Sequence, residues 1–301
     1  MLNFLREEHI DEQIIHGIID YRKQYPADEQ RTNSVPRYFY YGKEIWEQAA
    51  QALLCGKNLL LAGPKATGKN VLAENLAAVF GRPSFHLSFH INMDASYIIG
   101  SDTFRDGQVV FRPGPVYQSA ALGGFCILDE INMARNEALA VLHSVLDFRR
   151  IIHVPGYDSI PVHSAARFIA TMNYGYAGTR DLNEALTSRF LIIQMPEISP
   201  DNLKKLFLRE FPRITPAYAE QFAELFFDLS KKCRSGELTS KVLDLRGLLD
   251  AIALIQEGLP VYTALDMGIT NKTFDPYEQS LVQDILTSRI SKKADKHHIF
   301  H

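Results

Sequence analysis

Short apolar runs alternate with segments of helical periodicity through the first two thirds of the chain. Residues 9–24 place isoleucines at helical spacing, and residues 42–58 give a second helical pattern. Five apolar runs of strand length follow, at residues 58–63, 84–89, 124–130, 167–173 and 190–195. Strands that alternate with helices favour a parallel sheet, and parallel strands buried on both faces are continuously apolar. We therefore predict an α/β fold with a five-stranded parallel sheet.

The pattern changes after Pro196. Residues 200–259 contain helical patterns and no run of strand length. We predict an N-terminal helical extension over 1–37, an α/β core over 38–198, and a smaller all-helical lid domain with a C-terminal tail over 199–301. The tail is polar and basic, so we expect it to fray.

Composition places the chain among ordinary globular proteins. It has 301 residues, of which 46% are hydrophobic and 22% are charged, and its formal net charge is −3. This acidic balance gives no footprint for bulk nucleic-acid binding. The three cysteines form no C-x-x-C pair, the N-terminus has no apolar signal core, and no apolar run reaches the ~18 residues of a membrane span. We therefore expect a cytoplasmic protein without a membrane span.

The turn after the first apolar run has the pattern of a phosphate-binding loop. Its backbone N–H groups can surround phosphate oxygens, the following helix points its positive end at them, and its lysine reaches the terminal phosphates. A glycine-rich turn with a fortuitous lysine is the alternative, which the strand–turn–helix context disfavours. The predicted nucleotide-binding residues of this turn are Gly63, Pro64, Lys65, Ala66, Thr67, Gly68, Lys69, Asn70 and Val71.

The stretch GFCILDEINMA supplies the carboxylates that phosphate chemistry needs. Its apolar run delivers Asp129 and Glu130 to the carboxyl edge of the sheet, where ligands bind in open α/β folds. We predict that Asp129 holds Mg²⁺, that Glu130 polarises the attacking water, and that Asn173 orients this water or touches the γ-phosphate. Solvated or helix-capping carboxylates are the alternative, which is common at strand ends.

Three arginines are candidates for contact with the nucleotide. Arg189 precedes the last strand and is predicted to reach the phosphates of a neighbouring subunit as a finger, while Arg180 competes for this role. Arg246 lies on a predicted helix of the second domain, from which it can reach the γ-phosphate. For Arg189 and Arg246 the alternative is an ordinary surface arginine, at a helix carboxyl end or on a solvated helix face.

Position 70 departs from the usual loop pattern, in which a hydroxyl holds Mg²⁺. Asn70 offers an amide oxygen on a longer side chain, which can bind the metal directly or through a water. We predict Asn70 and Asp129 as the metal site, with weaker Mg²⁺ affinity, slower turnover, or both. Asn70 also motivates an alternative function, a nucleotide-gated binding module with little turnover.

Several segments, taken in order, resemble an AAA+ ATPase, and more narrowly the MoxR branch near the dynein-related AAA domains. They are GPKATGKN, ILDEINMARNEALAVLHSVLD, ATMN and LNEALTSRF. SYIIGSDTFRDGQVVFRPGPVYQSA resembles the insertion into the second core helix that marks this clade. The resemblance covers residues 38–255 and implies an AAA+ P-loop NTPase fold. It also implies Tyr41 and Gly42 as walls of the adenine pocket.

The resemblance implies ATP and Mg²⁺ as cofactors and hydrolysis in a homo-oligomeric ring, usually a hexamer, that remodels or activates a client protein. Relatives often work with a partner that carries a von Willebrand factor A domain. Two weaker alternatives are a nucleic-acid-associated motor, which the acidic balance disfavours, and a small-molecule kinase, which needs no finger. In the alternating stretch 104–112, Phe104, Val110 and Phe111 are candidate client contacts, unless they pack on the core.

Overall fold

The computed structural model of the protein describes most of the chain, in three stretches: residues 1–26, 35–174 and 182–301. Contacts divide these residues into two compact units. The first unit comprises residues 1–64 and 68–196, and the second comprises residues 65–67 and 197–301. The domain boundaries that the sequence predicts stay predictions.

A parallel sheet forms the centre of the first unit. The strands of this unit are β1 (Leu59–Gly63), β2 (Ser84–Ser88), β3 (Gly100–Arg105), β4 (Gln108–Pro113), β5 (Phe125–Asp129), β6 (Ile151–Ile152), β7 (Ile160–Pro161), β8 (Arg167–Asn173) and β9 (Leu191–Gln194). Five of them form one sheet in the order β2-β5-β8-β1-β9, with parallel pairing throughout. The predicted five-stranded parallel sheet is confirmed. The pairs β3–β4 and β6–β7 are antiparallel hairpins.

Helices cover this sheet. Those of the first unit are α1 (Leu2–Glu7), α2 (Glu12–Gln24), α3 (Lys43–Leu54), α4 (Lys69–Phe80), α5 (Ala95–Ile99), α6 (Pro115–Leu122), α7 (Asn136–Leu139), α8 (His143–Leu146) and α9 (Glu184–Thr187). The sequence sets their ends. Helix α4 stops at Gly81, whose φ of 68° is a left-handed helix cap, and α6 starts with Pro115 at its first turn.

The core of the first unit explains why β1 is continuously apolar. Leu59, Leu60 and Leu61 are fully buried because both sheet faces are covered, and each such side chain contributes about 1.5–3 kcal/mol of hydrophobic stabilisation. The N-terminal helices belong to this core. Tyr21 of α2 packs edge-on against Phe80 at 5.0 Å between ring centroids.

The described residues of the second unit from 197 onward are helical. The helices are α10 (Pro200–Glu210), α11 (Pro216–Arg234), α12 (Leu245–Gln256), α13 (Val261–Gly268), α14 (Pro276–Arg289) and α15 (Lys296–Ile299). Side-chain oxygens of Ser199, Asp244 and Asp275 cap three of them at the N-terminus. The prediction of a smaller helical part is confirmed. Among the described residues, no helix is long and apolar enough to cross a membrane.

The C-terminal tail is folded, so the expectation that it frays is wrong. Ile299 and Phe300 are buried, and Phe300 forms an isolated antiparallel bridge with Ile214. The backbone N–H of His301 donates to the carbonyl of Arg213 at 2.9 Å. Two buried apolar residues are enough to anchor this segment. The average composition of the segment is polar, so it gave no sign of them.

Candidate functional site

The loop between β1 and α4 has a backbone suited to surround an anion. Ala66 and Gly68 have φ values of 61° and 80°, in the left-handed region. Where left-handed residues alternate with right-handed ones, successive backbone N–H groups point to one side of the loop and form an anion-binding concavity. Gly68 is needed for a second reason, since a Cβ there would lie 3.0 Å from the ring of Tyr40.

Lys69 begins α4 and is buried at the mouth of this loop. Its Nζ donates to the carbonyls of Gly63 at 3.0 Å and Pro64 at 2.6 Å. Burial lowers the pKa of Lys69 to about 8, and the negative charges of Asp129 and Glu130 oppose that shift. The structure therefore places the loop lysine close enough to Asp129 and Glu130 for their charges to interact.

Thr171 holds both carboxylate residues in place. It lies on β8, next to β5, and its hydroxyl donates to Oδ1 of Asp129 at 2.5 Å. The same hydroxyl accepts the backbone N–H of Glu130 at 3.0 Å. Glu130 has a φ of 53°, a conformation that costs a non-glycine residue about 1–3 kcal/mol and that this hydrogen bond helps to hold.

Asn173 reaches the same carboxylates from the end of β8. It pairs with Gly63 in the strand register, and its Nδ2 donates to Oε1 of Glu130 at 2.9 Å. Asn132 holds the backbone of Asn173, because its Nδ2 donates to the carbonyl of Asn173 at 2.9 Å. Glu130 is thus held in one orientation through its backbone and its side chain, as a residue that positions a reactant must be.

Sequence reasoning missed Thr171 and Asn132. Both lie in stretches that carry the family resemblance, ATMN and DEIN, yet each was only a neighbour of a predicted residue. The sequence feature that could have revealed them is their polarity. A threonine inside an apolar run and a buried asparagine must find hydrogen-bond partners. The partners they find are the catalytic candidates.

The segment before α3 presents Tyr40, and not Tyr41, to the phosphate loop. A Cβ on Gly42 would lie 2.9 Å from the ring of Tyr40, so this ring packs between Gly42 and Gly68. Asn75 of α4 accepts the backbone N–H of Tyr40 at 2.9 Å, and burial raises the pKa of Tyr40 to about 12. Tyr41 packs instead on Phe4 at 5.5 Å between ring centroids. The adenine role of Tyr41 and Gly42 stays a prediction.

Arg189 lies away from the phosphate loop of its own chain. It precedes β9, whose first residue, Leu191, pairs with Leu59 at the start of β1. The phosphate loop follows the other end of β1, and a five-residue strand spans about 15 Å. Arg189 therefore lies at the amino edge of the sheet and the phosphate loop at the carboxyl edge.

The structure says less about the other two candidate arginines. Arg246 is exposed in the first turn of α12, where its backbone N–H donates to Oδ1 of Asp244 at 3.1 Å, and it belongs to the second unit. Its proposed contact with the nucleotide stays a prediction. Arg180 lies outside the described residues.

The oxygen donors at this site fit Mg²⁺. Asp129 ends β5 with its carboxylate partly exposed, and Asn70 lies in the first turn of α4, followed by Val71. Mg²⁺ is usually held by one or two carboxylates together with waters and substrate phosphates, and not by an all-protein cage. Within the described stretches, no group of three or more His, Cys, Asp or Glu residues is placed to hold a metal ion.

The β3–β4 hairpin presents apolar side chains to solvent. Phe104 and Val110 are exposed. Phe111 is not, because it packs on Tyr117 and Tyr157, each at 5.2 Å between ring centroids. Of the three apolar candidates on this stretch, only Phe104 and Val110 are presented for contact.

Thr171→Val is expected to lower the turnover number of the nucleotide hydrolysis predicted for this site about 10- to 100-fold, because valine keeps the shape and removes both hydrogen bonds. The Michaelis constant should change little, since neither bond is to the phosphate loop. Steady-state phosphate release measures both constants. Thr171→Ser restores the hydroxyl and is the matched control, and equal turnover of the valine and serine variants would contradict the assigned role.

Comparison with known proteins identifies the family. The sequence model of the AAA domain (dynein-related subfamily) matches residues 58–190, which contain the phosphate loop, both carboxylates and Arg189. The uncharacterized protein YojN of Bacillus subtilis is 32% identical over 291 residues, which cover 95% of each chain. The chain belongs to the dynein-related AAA family. The predicted AAA+ P-loop NTPase fold is thereby confirmed.

A further relative comes from a staphylococcus. Uncharacterized protein SH1500 of Staphylococcus haemolyticus is 31% identical, over 83% of this chain and 97% of the relative. A crystal structure from Cytophaga hutchinsonii superposes over 96% of each chain with 15% identity and a TM-score of 0.49. The assignment of this chain to the AAA family rests on the family model and the sequence relatives, and not on this structural comparison.

Proposed function

We propose that this AAA protein is a MoxR-like ATPase of the helix-2-insert clade. It binds Mg²⁺ and ATP, hydrolyses the γ-phosphoanhydride, and works as a homo-oligomeric ring, a hexamer, that remodels or activates a client protein. The observation that carries the proposal is the convergence of Lys69, Asp129, Glu130 and Asn173 at one edge of the sheet.

Each of these residues has one task in the proposed reaction. Lys69 binds the terminal phosphates, Glu130 accepts a proton from the attacking water, and Asn173 keeps the Glu130 carboxylate aimed at that water. Asp129 and Asn70 would hold Mg²⁺. When bound, the metal neutralises charge on the β- and γ-phosphate oxygens.

The place of Arg189 supports the proposed oligomer. An arginine at the amino edge of its own sheet can serve a phosphate loop only in a second copy, so a site that uses Arg189 as a finger would need two chains. Such an arginine finger is worth about 10³–10⁵ in rate where one is used. The number of copies rests on the family resemblance.

The client is proposed to be a protein. The exposed apolar side chains of the β3–β4 hairpin, Phe104 and Val110, suit contact with apolar polypeptide segments. The hairpin stands between α5 and α6, as an insertion into a core helix would. A partner with a von Willebrand factor A domain rests on the resemblance alone.

Phosphate release from Mg²⁺-ATP tests the proposal directly. The wild-type chain should release phosphate at least about 10²-fold faster than Lys69→Ala, since the lysine is required to hold the terminal phosphates. Sedimentation with and without Mg²⁺-ATP should show nucleotide-dependent assembly. A wild-type rate equal to that of Lys69→Ala would reject the ATPase, and assembly that ignores nucleotide would reject the nucleotide-dependent ring.

A second candidate is a nucleotide-gated binding module, and Asn70 favours it. The residue stands where the metal-binding hydroxyl of the loop is usually found. In that case ATP would control assembly while turnover stays negligible. Wild-type assembly in ATP without phosphate release would select this candidate.

Asn70→Thr is expected to lower the Mg²⁺ concentration that gives half-maximal phosphate release, by about threefold or more, because a hydroxyl is a more compact Mg²⁺ ligand. A Mg²⁺ titration at fixed ATP measures it. The matched control is Asn271→Thr, an exposed position of the second unit, which should leave the midpoint unchanged. An identical midpoint for wild type and Asn70→Thr would place residue 70 away from the metal.

A further inference from the structure

The turn between α8 and β6 exposes a phenylalanine between charged residues. Phe148 is 93% exposed, so nearly its whole ring lies in solvent. Arg149 follows it with 48% of its side chain exposed. A bare aromatic ring beside a cation is a composition that favours protein contact.

Asp147 connects this turn to Arg189. Its Oδ2 accepts from the terminal NH2 of Arg149 at 2.6 Å, and the Nε of Arg149 lies within 3.2 Å of both carboxylate oxygens. The terminal NH2 of Arg189 lies 3.6 Å from the same Oδ2. One carboxylate therefore holds two guanidinium groups, and the cluster keeps an excess positive charge.

Asn58 fixes this cluster to the sheet. Its buried Nδ2 donates to the carbonyl of Leu146 at 2.8 Å and to the carbonyl of Arg189 at 3.0 Å. The residue directly precedes β1, so both arginines lie at the amino edge. These hydrogen bonds fix the backbone at Arg189 itself and three residues before Arg149. A fixed backbone suits arginines that are presented to a partner.

The two arginines are presented differently. Arg189 donates to the carbonyl of His143 through Nε at 3.2 Å and to the carbonyl of Ala185 through NH1, and only 22% of its side chain is exposed. Arg149 uses its Nε and NH2 edge for Asp147, which turns its NH1 edge away from the carboxylate. Of the pair, Arg149 is the more available to an external anion.

We propose that Phe148, Arg149 and Arg189 form one surface that closes the nucleotide site of a second copy of this chain. Arg149 is the second arginine on the triphosphate, and Phe148 is the apolar contact that seats the two copies. This inference rests on the proposed ATPase function. The occupant is a second copy because the chain's own phosphate loop is at the opposite edge, and because a bound triphosphate supplies the negative charge that two arginines require.

The test of Arg149 uses a chain that keeps its ATP. In the Glu130→Gln background, adding Arg149→Gln should raise the concentration for half-assembly about tenfold or more in Mg²⁺-ATP, since one charge-assisted contact to the γ-phosphate is lost. In Mg²⁺-ADP the value should not change. Sedimentation velocity across a concentration series measures both. Arg6→Gln is the matched control, since Arg6 is 49% exposed and pairs with Glu12 at 3.2 Å.

Phe148→Ser should weaken assembly about tenfold or more with either nucleotide, because an apolar contact does not depend on the γ-phosphate. Phe274→Ser is its control, as Phe274 is 90% exposed in the second unit. Equal effects of the two phenylalanine variants would overturn the role of Phe148.

Two failures are distinguishable. If the Glu130→Gln chain does not bind ATP, the proposed function fails and this inference fails with it. If the chain binds ATP and assembles equally well with and without Arg149, the ATPase proposal stands and only the inference is overturned. A loss in ATP and ADP alike would also overturn it, since that would show Arg149 to be structural.

Discussion

Replacing Glu130 with glutamine is expected to reduce phosphate release at saturating Mg²⁺-ATP by about 10²–10⁴-fold, the usual contribution of a positioned general base. Affinity for ATP should stay within about twofold of wild type, because no assigned phosphate contact is removed. Phosphate release and equilibrium binding of a fluorescent ATP analogue measure the two quantities. The variant should therefore hold ATP without consuming it.

The geometry explains why this substitution separates chemistry from binding. Glutamine has the length of glutamate, and its Oε1 can still accept the hydrogen bond from Asn173 that the carboxylate accepts at 2.9 Å. The left-handed backbone at position 130 and its hydrogen bond to Thr171 do not depend on the side chain. Only the capacity to take a proton from water is lost.

Glu137→Gln is the matched control for Glu130→Gln. Glu137 is exposed in the first turn of α7, seven residues further along the chain, and it is not one of the candidate site residues. Its variant should hydrolyse ATP at the wild-type rate. Glu130→Gln turnover above a tenth of wild type would remove Glu130 from the role of base and leave the water to another residue.

The sheet was predictable because its strands are buried on both faces. Leu59, Leu60 and Leu61 form a continuous apolar run of strand length, and the structure places them in an interior strand of the sheet, between β8 and β9. The convergence of the phosphate loop with the carboxylates followed from one rule, that parallel strands bring their carboxyl ends to one edge. The order of the strands was not predictable from pattern alone.

Supporting residues were not predictable in the same way. Thr171, Asn132 and Asn58 act through hydrogen bonds to residues far away in sequence, and periodicity carries no information about such partners. Tyr40 and Tyr41 show the same limit. Both are buried aromatic residues, and only the path of the backbone decides which ring meets Gly68.

Arg189→Ala is expected to lower phosphate release by about 10³–10⁵-fold, the range for arginine fingers, while ATP binding to the isolated chain is retained. The reason is its position, since an arginine at the amino edge contributes nothing to the phosphate loop of its own chain. The measurement is phosphate release at chain concentrations above and below the assembly midpoint. Wild-type activity should rise with assembly, and the variant should stay inactive throughout.

Mixing two inactive chains decides whether Arg189 acts on a neighbour. The Arg189→Ala chain keeps Lys69, Asp129 and Glu130, and the Glu130→Gln chain keeps Arg189, so a mixed assembly contains interfaces with every group in place. Their equimolar mixture should recover about a quarter of wild-type activity if neighbours pair at random and each complete interface works independently. Arg209→Ala, a change at the C-terminal turn of α10, is the matched arginine control and should hydrolyse ATP normally. An inactive mixture that still co-assembles would show that Arg189 serves its own chain, as a clasp on Asp147 and His143, and the shared site would have to be abandoned.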